Sequence, residues 1–291
     1  MFSDATTLFS GNAMYVLVGL LGLIVGSFIN VVVYRLPRML ERRWRNECQA
    51  LFDPTENPVE QSAYNLAVPQ SACPACGHQI RAWENIPVIS YLFLRGRCSA
   101  CGVCISLRYP TIEITTAVLA LLVAWQFGPS WKTALALPFT WALLALALID
   151  LETQLLPDAI TLPLLWLGLI SNVNGLFVPL QQAVLGAAAG YLSLWLVYHL
   201  FRLLTGKEGM GYGDFKLLAA LGAWFGWQML PLTILLSSLV GALVGITLML
   251  FRRMQQGTLL PFGPYLAAAG WIAMLWGTPL THWYLGLFRT G

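Results

Sequence analysis

The chain has 291 residues, of which 58% are hydrophobic and only 10% charged, against roughly 25% charged residues in soluble domains. That excludes an ordinary soluble globular protein and, with 12 Trp and 26 Gly, predicts a polytopic helical membrane protein. A net charge of +3 is too small to argue for nucleic acid, and placement matters more than the sum: nine of the 16 basic residues fall between Arg35 and Arg108.

The first twelve residues carry Asp4 and no basic residue, and the first positive charge, Arg35, follows the first apolar run. This is the reverse of a signal peptide's charge order, so no cleavable signal peptide is expected and the N-terminus is predicted to face away from the cytoplasm. The first span is predicted over 13–34, with Gly19, Gly22 and Gly26 on nearly one face, a spacing that lets a second helix approach closely. Arg35-Leu-Pro-Arg38 is expected to end it. Arg42, Arg43 and Arg45 then mark the cytoplasmic side.

Residues 37–108 form the one sizeable polar region and hold all six cysteines. Four read Cys73-Pro-Ala-Cys76-Gly and Cys98-Ser-Ala-Cys101-Gly. Paired Cys-x-x-Cys knuckles at this spacing suit one structural zinc held by four thiolates, with no open position for catalysis. Gly77 and Gly102 supply the tight turn after each second cysteine. A reducing cytoplasm argues against disulfides. Cys48 and Cys104 read as free thiols, and His78 as a polar turn residue rather than a fifth ligand. Residues 83–91 read as a short amphipathic segment at the membrane surface. Glu113 is expected in the first turn of the second span, 111–127, where a helix N-terminus favours an anion.

The third span is predicted over 132–149, ending at Asp150. Asp158 is expected to cap the fourth span, 159–170. The fifth covers 182–204, with Gly186 and Gly190 as close-packing positions and His199 as a packed or interfacial histidine. The glycine-rich stretch Gly209-Met-Gly-Tyr-Gly-Asp-Phe-Lys216 then leads into a short sixth span, 214–225. A seventh, 230–251, and an eighth, from 261 to 276 or a little further, complete the chain. With the N-terminus outside, Arg108, Arg202, Lys207, Arg252 and Arg253 all fall on the cytoplasmic face. Asp150 and Asp214 then share that face.

Ionisable groups at membrane depth cost roughly 2.5–3.5 kcal/mol on insertion scales and mark function. A carboxylate at a helix C-terminus also meets the negative end of the macrodipole, so stability gives no reason for Asp150. Asp214 alone reads equally well as a helix cap. Two carboxylates on one face suit peptide hydrolysis, one ionised to activate water and one protonated to bind the scissile carbonyl, because two acids held together resist ionising together. Gly211 and Gly213 are expected to admit a substrate backbone and an unwound helix start. The loop is neither a dinucleotide fingerprint nor a phosphate loop, since neither a third glycine in register nor Gly-Lys-Ser/Thr follows.

Gly26-Ser-Phe-Ile-Asn-Val-Val-Val-Tyr-Arg-Leu-Pro37, the cysteine knuckles, Asn85-Ile-Pro-Val-Ile-Ser-Tyr91, Ile105-Ser-x-Arg-Tyr-Pro110, Leu156-Pro-Asp158, Gly211-x-Gly-Asp-x-Lys216 and Pro261-Phe-Gly-Pro264 together resemble the type IV prepilin peptidase and N-methyltransferase family, over almost the whole chain and in order. The resemblance implies an all-α polytopic protein of about eight transmembrane helices, with a small cytoplasmic zinc-binding domain between helices 1 and 2. The implied divisions are 1–36, 37–108 and 109–291. It implies catalytic Asp150 and Asp214 with Gly211, Gly213 and Lys216 in the supporting loop, and zinc on Cys73, Cys76, Cys98 and Cys101. One departure is Cys104, where the family often has proline; it could compete for metal.

The implied reaction is cleavage of type IV prepilins and type II secretion pseudopilins after a glycine at the cytoplasmic face of the bacterial inner membrane. N-methylation from S-adenosylmethionine would follow. No nucleotide-binding fingerprint is present, so the methyl-donor site is placed only loosely in the 37–108 region, with Gly96, Arg95 and Arg97 as candidates. Besides the lipid bilayer, pilins are the partners implied, and nucleic acid is not. A proton-coupled transporter using Asp150 and Asp214 leaves the knuckles unexplained. A non-catalytic assembly scaffold would tolerate conservative aspartate changes.

Overall fold

The computed structural model describes residues 11–52, 63–207, 209–251 and 260–289. Among these the structure is nearly all helix, with two isolated β-bridges and no strand. It divides into two compact units, Met1–Thr133 and Ala134–Gly291.

The first unit is built on α1 (Gly11–Phe52) and α3 (Arg108–Phe127). The expected glycine face is real: a Cβ on Gly22 would lie 2.6 Å from the Ala117 Cα, and one on Gly26 2.7 Å from the Glu113 Cα. The two backbones can meet only because side chains are missing there. The expected stop at Pro37 is not seen, because α1 continues through that proline to Phe52. A proline removes one backbone bond and strains a helix without always ending it. The residues after it are good helix formers, and Arg43 pairs with Glu47 one turn on at 2.8 Å. Arg35 is buried rather than solvated, and donates to the carbonyls of Asn65 at 3.0 Å and Pro69 at 2.6 Å.

Between these helices lie a single 3-10 turn, Ala82–Asn85, and α2 (Ile89–Phe93), where the short surface segment was expected. α3 begins at Arg108, earlier than expected. Glu113 therefore sits in its second turn, and its role is not that of a first-turn anion.

The second unit contains most of α4 (Trp131–Thr153), then α5 (Asp158–Ser171), α6 (Leu180–Thr205), α7 (Tyr212–Phe225), α8 (Leu230–Leu250) and α9 (Gly263–Arg289). α4 to α8 follow the expected spans within a few residues, whereas α9 runs on to Arg289, well past the expected end near 276. Helical segments long and apolar enough to cross a membrane are Asn12–Phe52, Arg108–Phe127, Trp131–Thr153, Leu180–Thr205 and Trp227–Leu250. α5 and α7 have 14 residues each, so each rises about 21 Å, less than the ~30 Å hydrocarbon thickness. Asp4, Arg252 and Arg253 lie outside the described residues.

α7 is the centre of this unit, with Asp214, Phe215 and every residue from Leu217 to Phe225 buried. A Cβ at Gly190 of α6 would stand 2.6 Å from the Leu218 carbonyl oxygen, so α6 lies directly on the α7 backbone, as Gly186 and Gly190 were expected to allow. The Trp224 indole packs on Phe139 with ring centroids 4.6 Å apart and donates to the Leu164 carbonyl at 2.9 Å. Asn172, fully buried, donates to the carbonyls of Ala223 and Trp224 at 2.9 and 3.1 Å. Its own carbonyl oxygen accepts the N–H groups of Phe177 and Val178. One amide thus satisfies the loose C-terminal end of α7 and the turn after α5 together. A short buried helix needs such a partner because its last carbonyls cannot reach water.

Candidate active site

Asp150 lies in the last turn of α4 and is 5% exposed; Asp214 is the third residue of α7 and is 7% exposed. Their mutual approach is built by a leucine and two glycines. Leu156, in the short link after α4, fills the space beside both Gly213 and Gly263: Cβ atoms there would come within 2.7 and 3.1 Å of its side chain. Asp150 is close enough to Asp214 for the two carboxylates to repel each other when both are ionised.

The two acids are held differently. Asp150 Oδ2 accepts the backbone N–H of Gly263 at 3.0 Å. Asp214 Oδ1 is buried with no hydrogen-bond partner. α7 starts at Tyr212, with Gly211 at the cap position in extended backbone, so Asp214 is not the cap. Gly213 presses on Leu156, while a Cβ at Gly211 would meet only the Gly213 nitrogen, at 4.0 Å. Of the two glycines expected to admit a substrate backbone, only Gly211 therefore has free space beside it. Asp158 is not an N-cap either. Pro157 holds that position, and Asp158 instead receives both its oxygens' contacts from Lys216 Nζ, at 2.7 Å each. Lys216 thereby ties the start of α7 to the start of α5. Gln154, with φ of 55°, turns the chain out of α4 between the two.

The four knuckle cysteines come together as expected, their Sγ atoms all within 4.8 Å of one another. Cys73 and Cys101 are 3.8 Å apart, and Cys76 and Cys98 4.0 Å. Sulfurs at about 2.3 Å from a tetrahedral zinc stand about 3.8 Å apart, so the residues fit that ion. The N–H groups of Cys76 and Ala75 bring the Cys73 thiol down to about 7, and those of Cys101 and Ala100 lower Cys98. Each loop thus supplies a donor nest for a thiolate. Gly77 and Gly102 both have φ of 72°, the left-handed turn that suits glycine.

Cys48 and Cys104 are exposed and stand outside the cluster. His78 is no ligand. Its Nε2 lies 3.2 Å from Glu84 Oε2, and Glu84 also accepts the Ser99 hydroxyl at 2.6 Å and the Arg81 N–H at 2.9 Å. The Ser99 hydroxyl, the Arg81 N–H and His78 hold the Glu84 carboxyl at about 2, so this carboxylate clasps one knuckle to the other. Nothing in the sequence singled it out. Gly96 has φ of 67°, and a Cβ there would come 2.7 Å from the Tyr91 hydroxyl, which reaches the Ile105 carbonyl at 3.3 Å. His199 is a packed residue as expected, its ring 4.1 Å from that of Trp195.

A helical, membrane-type chain with two buried aspartates beside a glycine loop in one unit, and a four-cysteine cluster in the other, is a polytopic membrane protein of the peptidase class. Residues 20–127 match the bacterial Peptidase A24 N-terminal domain, and residues 137–246 match the type IV leader peptidase family. The chain belongs to that family. Similar proteins named prepilin leader peptidase/N-methyltransferase occur in Pseudomonas aeruginosa, 60% identical over 91% of both chains. Others are found in Pseudomonas putida, 63% identical over 88% of both, and in Neisseria gonorrhoeae, 53% identical over 88% of both. No solved structure matches the chain.

Proposed function

We propose that this chain is a membrane aspartyl endopeptidase that removes the basic leader of type IV prepilins and type II secretion pseudopilins after a glycine, and then methylates the new N-terminal amine. The single observation that carries the peptidase half is the pair Asp150 and Asp214, buried together behind Leu156 from helices far apart in sequence. One carboxylate takes a proton from water as its oxygen attacks the scissile carbonyl carbon. The other brings a proton to the carbonyl oxygen, and the amide nitrogen leaves protonated as the C–N bond breaks. Burial strengthens both steps by excluding bulk water.

Cys73, Cys76, Cys98 and Cys101 would hold a structural zinc, which would bind the two knuckles as one body. The N-terminus lies in the periplasm and the knuckles in the cytoplasm of an inner-membrane protein, following the distribution of Arg and Lys. Anionic lipid at that face would hold the basic leader near the pair. S-adenosylmethionine supplies the methyl group. Gly96, one of the positions suggested for that donor, has its own reason to be glycine in the Tyr91 contact.

The test is cleavage of a purified prepilin in detergent by wild type, Asp150→Asn and Asp214→Asn, with methyl transfer to pre-cleaved pilin read in parallel. Loss of cleavage in both variants with methylation retained supports an aspartyl pair and a separate methyl-transfer site. Full cleavage by either folded variant would reopen the transporter and scaffold readings.

A further inference from the structure

We propose that Gly263 is the positioning residue for the catalytic pair: its backbone N–H fixes the Asp150 carboxylate, and the site has no room for a side chain at that position. This rests on the peptidase reading above. The motif Pro261-Phe-Gly-Pro264 otherwise has no task in the reaction.

Gly263 is the first residue of α9, and the N–H groups of Tyr265 and Leu266 both bond the carbonyl of Phe262 just before it. A first-turn N–H has no partner inside its own helix and carries part of the positive end of the macrodipole. Here that donor is spent on Asp150 Oδ2, in a buried bond of 3.0 Å across 113 residues of sequence. The arrangement offsets the adverse position of Asp150 at the C-terminal end of α4. Asp214 keeps a buried Oδ1 without a partner, free to meet substrate or the attacking water.

A methyl group on Gly263 would stand 2.6 Å from Asp150 Oδ2 and 3.1 Å from Leu156 Cδ2, where ordinary contact begins at 3.4 Å. Asp150 would have to retreat by about 0.8 Å, and misplacing a reacting group by about 1 Å can cost on the order of 100-fold in rate.

The experiment measures kcat and KM for prepilin cleavage by the full chain in detergent, with methyl transfer to pre-cleaved pilin as the second activity. In Gly263→Ala, kcat is expected to fall on the order of 100-fold, with KM and methyl transfer close to wild type. Adding Leu156→Ala, which removes the clash with leucine and leaves the one with Asp150, is expected not to restore kcat. Recovery in the double variant would assign Gly263 to packing against Leu156 and overturn the proposal; so would wild-type kcat in Gly263→Ala. Should Gly263→Ala fail to fold, amide hydrogen exchange at Gly263 in the wild-type chain decides: protection that disappears in Asp150→Ala supports the bond. Fast exchange in wild type, or protection that survives in Asp150→Ala, overturns it. Failure of the peptidase reading looks different, because Asp150→Asn would then still cleave.

Discussion

Lys216 and Asp158 form a two-pronged ion pair, 2.7 Å to each carboxylate oxygen, that joins the N-terminal part of α7 to the first turn of α5. The side chains are 30% and 53% exposed, so water screens the pair and it contributes only about 0.2–1 kcal/mol to stability. Its value is positional, because Asp214 lies two residues before Lys216. Lys216→Ala is expected to leave the melting temperature nearly unchanged and to lower kcat for prepilin cleavage roughly tenfold. The exchange Lys216→Asp with Asp158→Lys is expected to recover part of the loss. A large drop in melting temperature, or unchanged cleavage, would contradict this account.

Asn172 is a different kind of joint, fully buried and using both ends of its amide. Asn172→Ala removes the donor to the carbonyls of Ala223 and Trp224 and the acceptor of the Phe177 and Val178 N–H groups. Each buried group left unpaired costs about 1–3 kcal/mol. Thermal unfolding in detergent is therefore expected to show one of the larger single-residue losses in this unit. Asn172→Asp keeps an acceptor for the two N–H groups and loses the donor, so the carbonyls at the end of α7 then face a negative charge. It is expected to be at least as damaging as alanine.

What could be read from the sequence depended on how local the information was. Apolar runs place α3 to α8 within a few residues, because helix periodicity and length are local properties. The cysteine knuckles and the glycine faces of α1 and α6 were legible for the same reason: each motif carries its geometry in its own spacing. Partners across long sequence distance were not. Gly263 reaches Asp150, Asn172 reaches Ala223, and Lys216 reaches Asp158, and none of these follows from either residue's neighbours. Asp158 looked like a cap because its local context fits one, and a lysine 58 residues away took it instead. The continuation of α1 past Pro37 shows the same limit: a local stop signal was outweighed by the helix formers beyond it.

The Glu84 clasp predicts how zinc is retained. Its carboxylate is held by Ser99, Arg81 and His78, and so restrains both knuckles without touching the metal site. Loss of such outer partners typically weakens a metal site by about 10–100-fold. Purified wild type is expected to carry about one zinc per chain, as a single four-thiolate site requires. Glu84→Ala is expected to release that zinc to a chromogenic chelator at least about tenfold faster, with the cysteines still reduced. Equal release rates would show that the knuckles are held without the clasp.

The glycine face of α1 provides its own control. A Cβ at Gly22 would strike the backbone of α3 at Ala117, 2.6 Å away, while one at Gly19 would meet only the flexible Leu121 side chain at 3.7 Å. Gly22→Ala must push two helices apart, and overpacking of this kind costs about 1–3 kcal/mol. Gly19→Ala makes ordinary contact and gains helix propensity, by up to about 1 kcal/mol. The two changes are chemically identical and one turn apart, so thermal unfolding should move in opposite directions. Equal shifts would show that α1 and α3 do not approach as closely as the glycines allow.

Glu113 is a buried carboxylate in α3. Its Oε2 accepts the Val88 N–H at 2.7 Å, and Ser27 hydrogen-bonds the same carboxyl group. Val88 has φ of 60°, a conformation in which a β-branched residue is strained at a cost of about 1–3 kcal/mol. Such a turn persists only when its surroundings over-determine it, and the bond to Glu113 is what holds it at the entry to α2. Glutamine keeps a carbonyl oxygen of the same reach, so Glu113→Gln is expected to stay within about 1 kcal/mol of wild type, the worth of one neutral hydrogen bond. Glu113→Ala removes the acceptor and leaves a cavity, and is expected to lose about 2–4 kcal/mol by the same reasoning. Val88→Gly relieves the strain, and in the Glu113→Ala background it is expected to recover part of the loss. If glutamine proves as damaging as alanine, charge rather than acceptance of the Val88 N–H would be what this position requires.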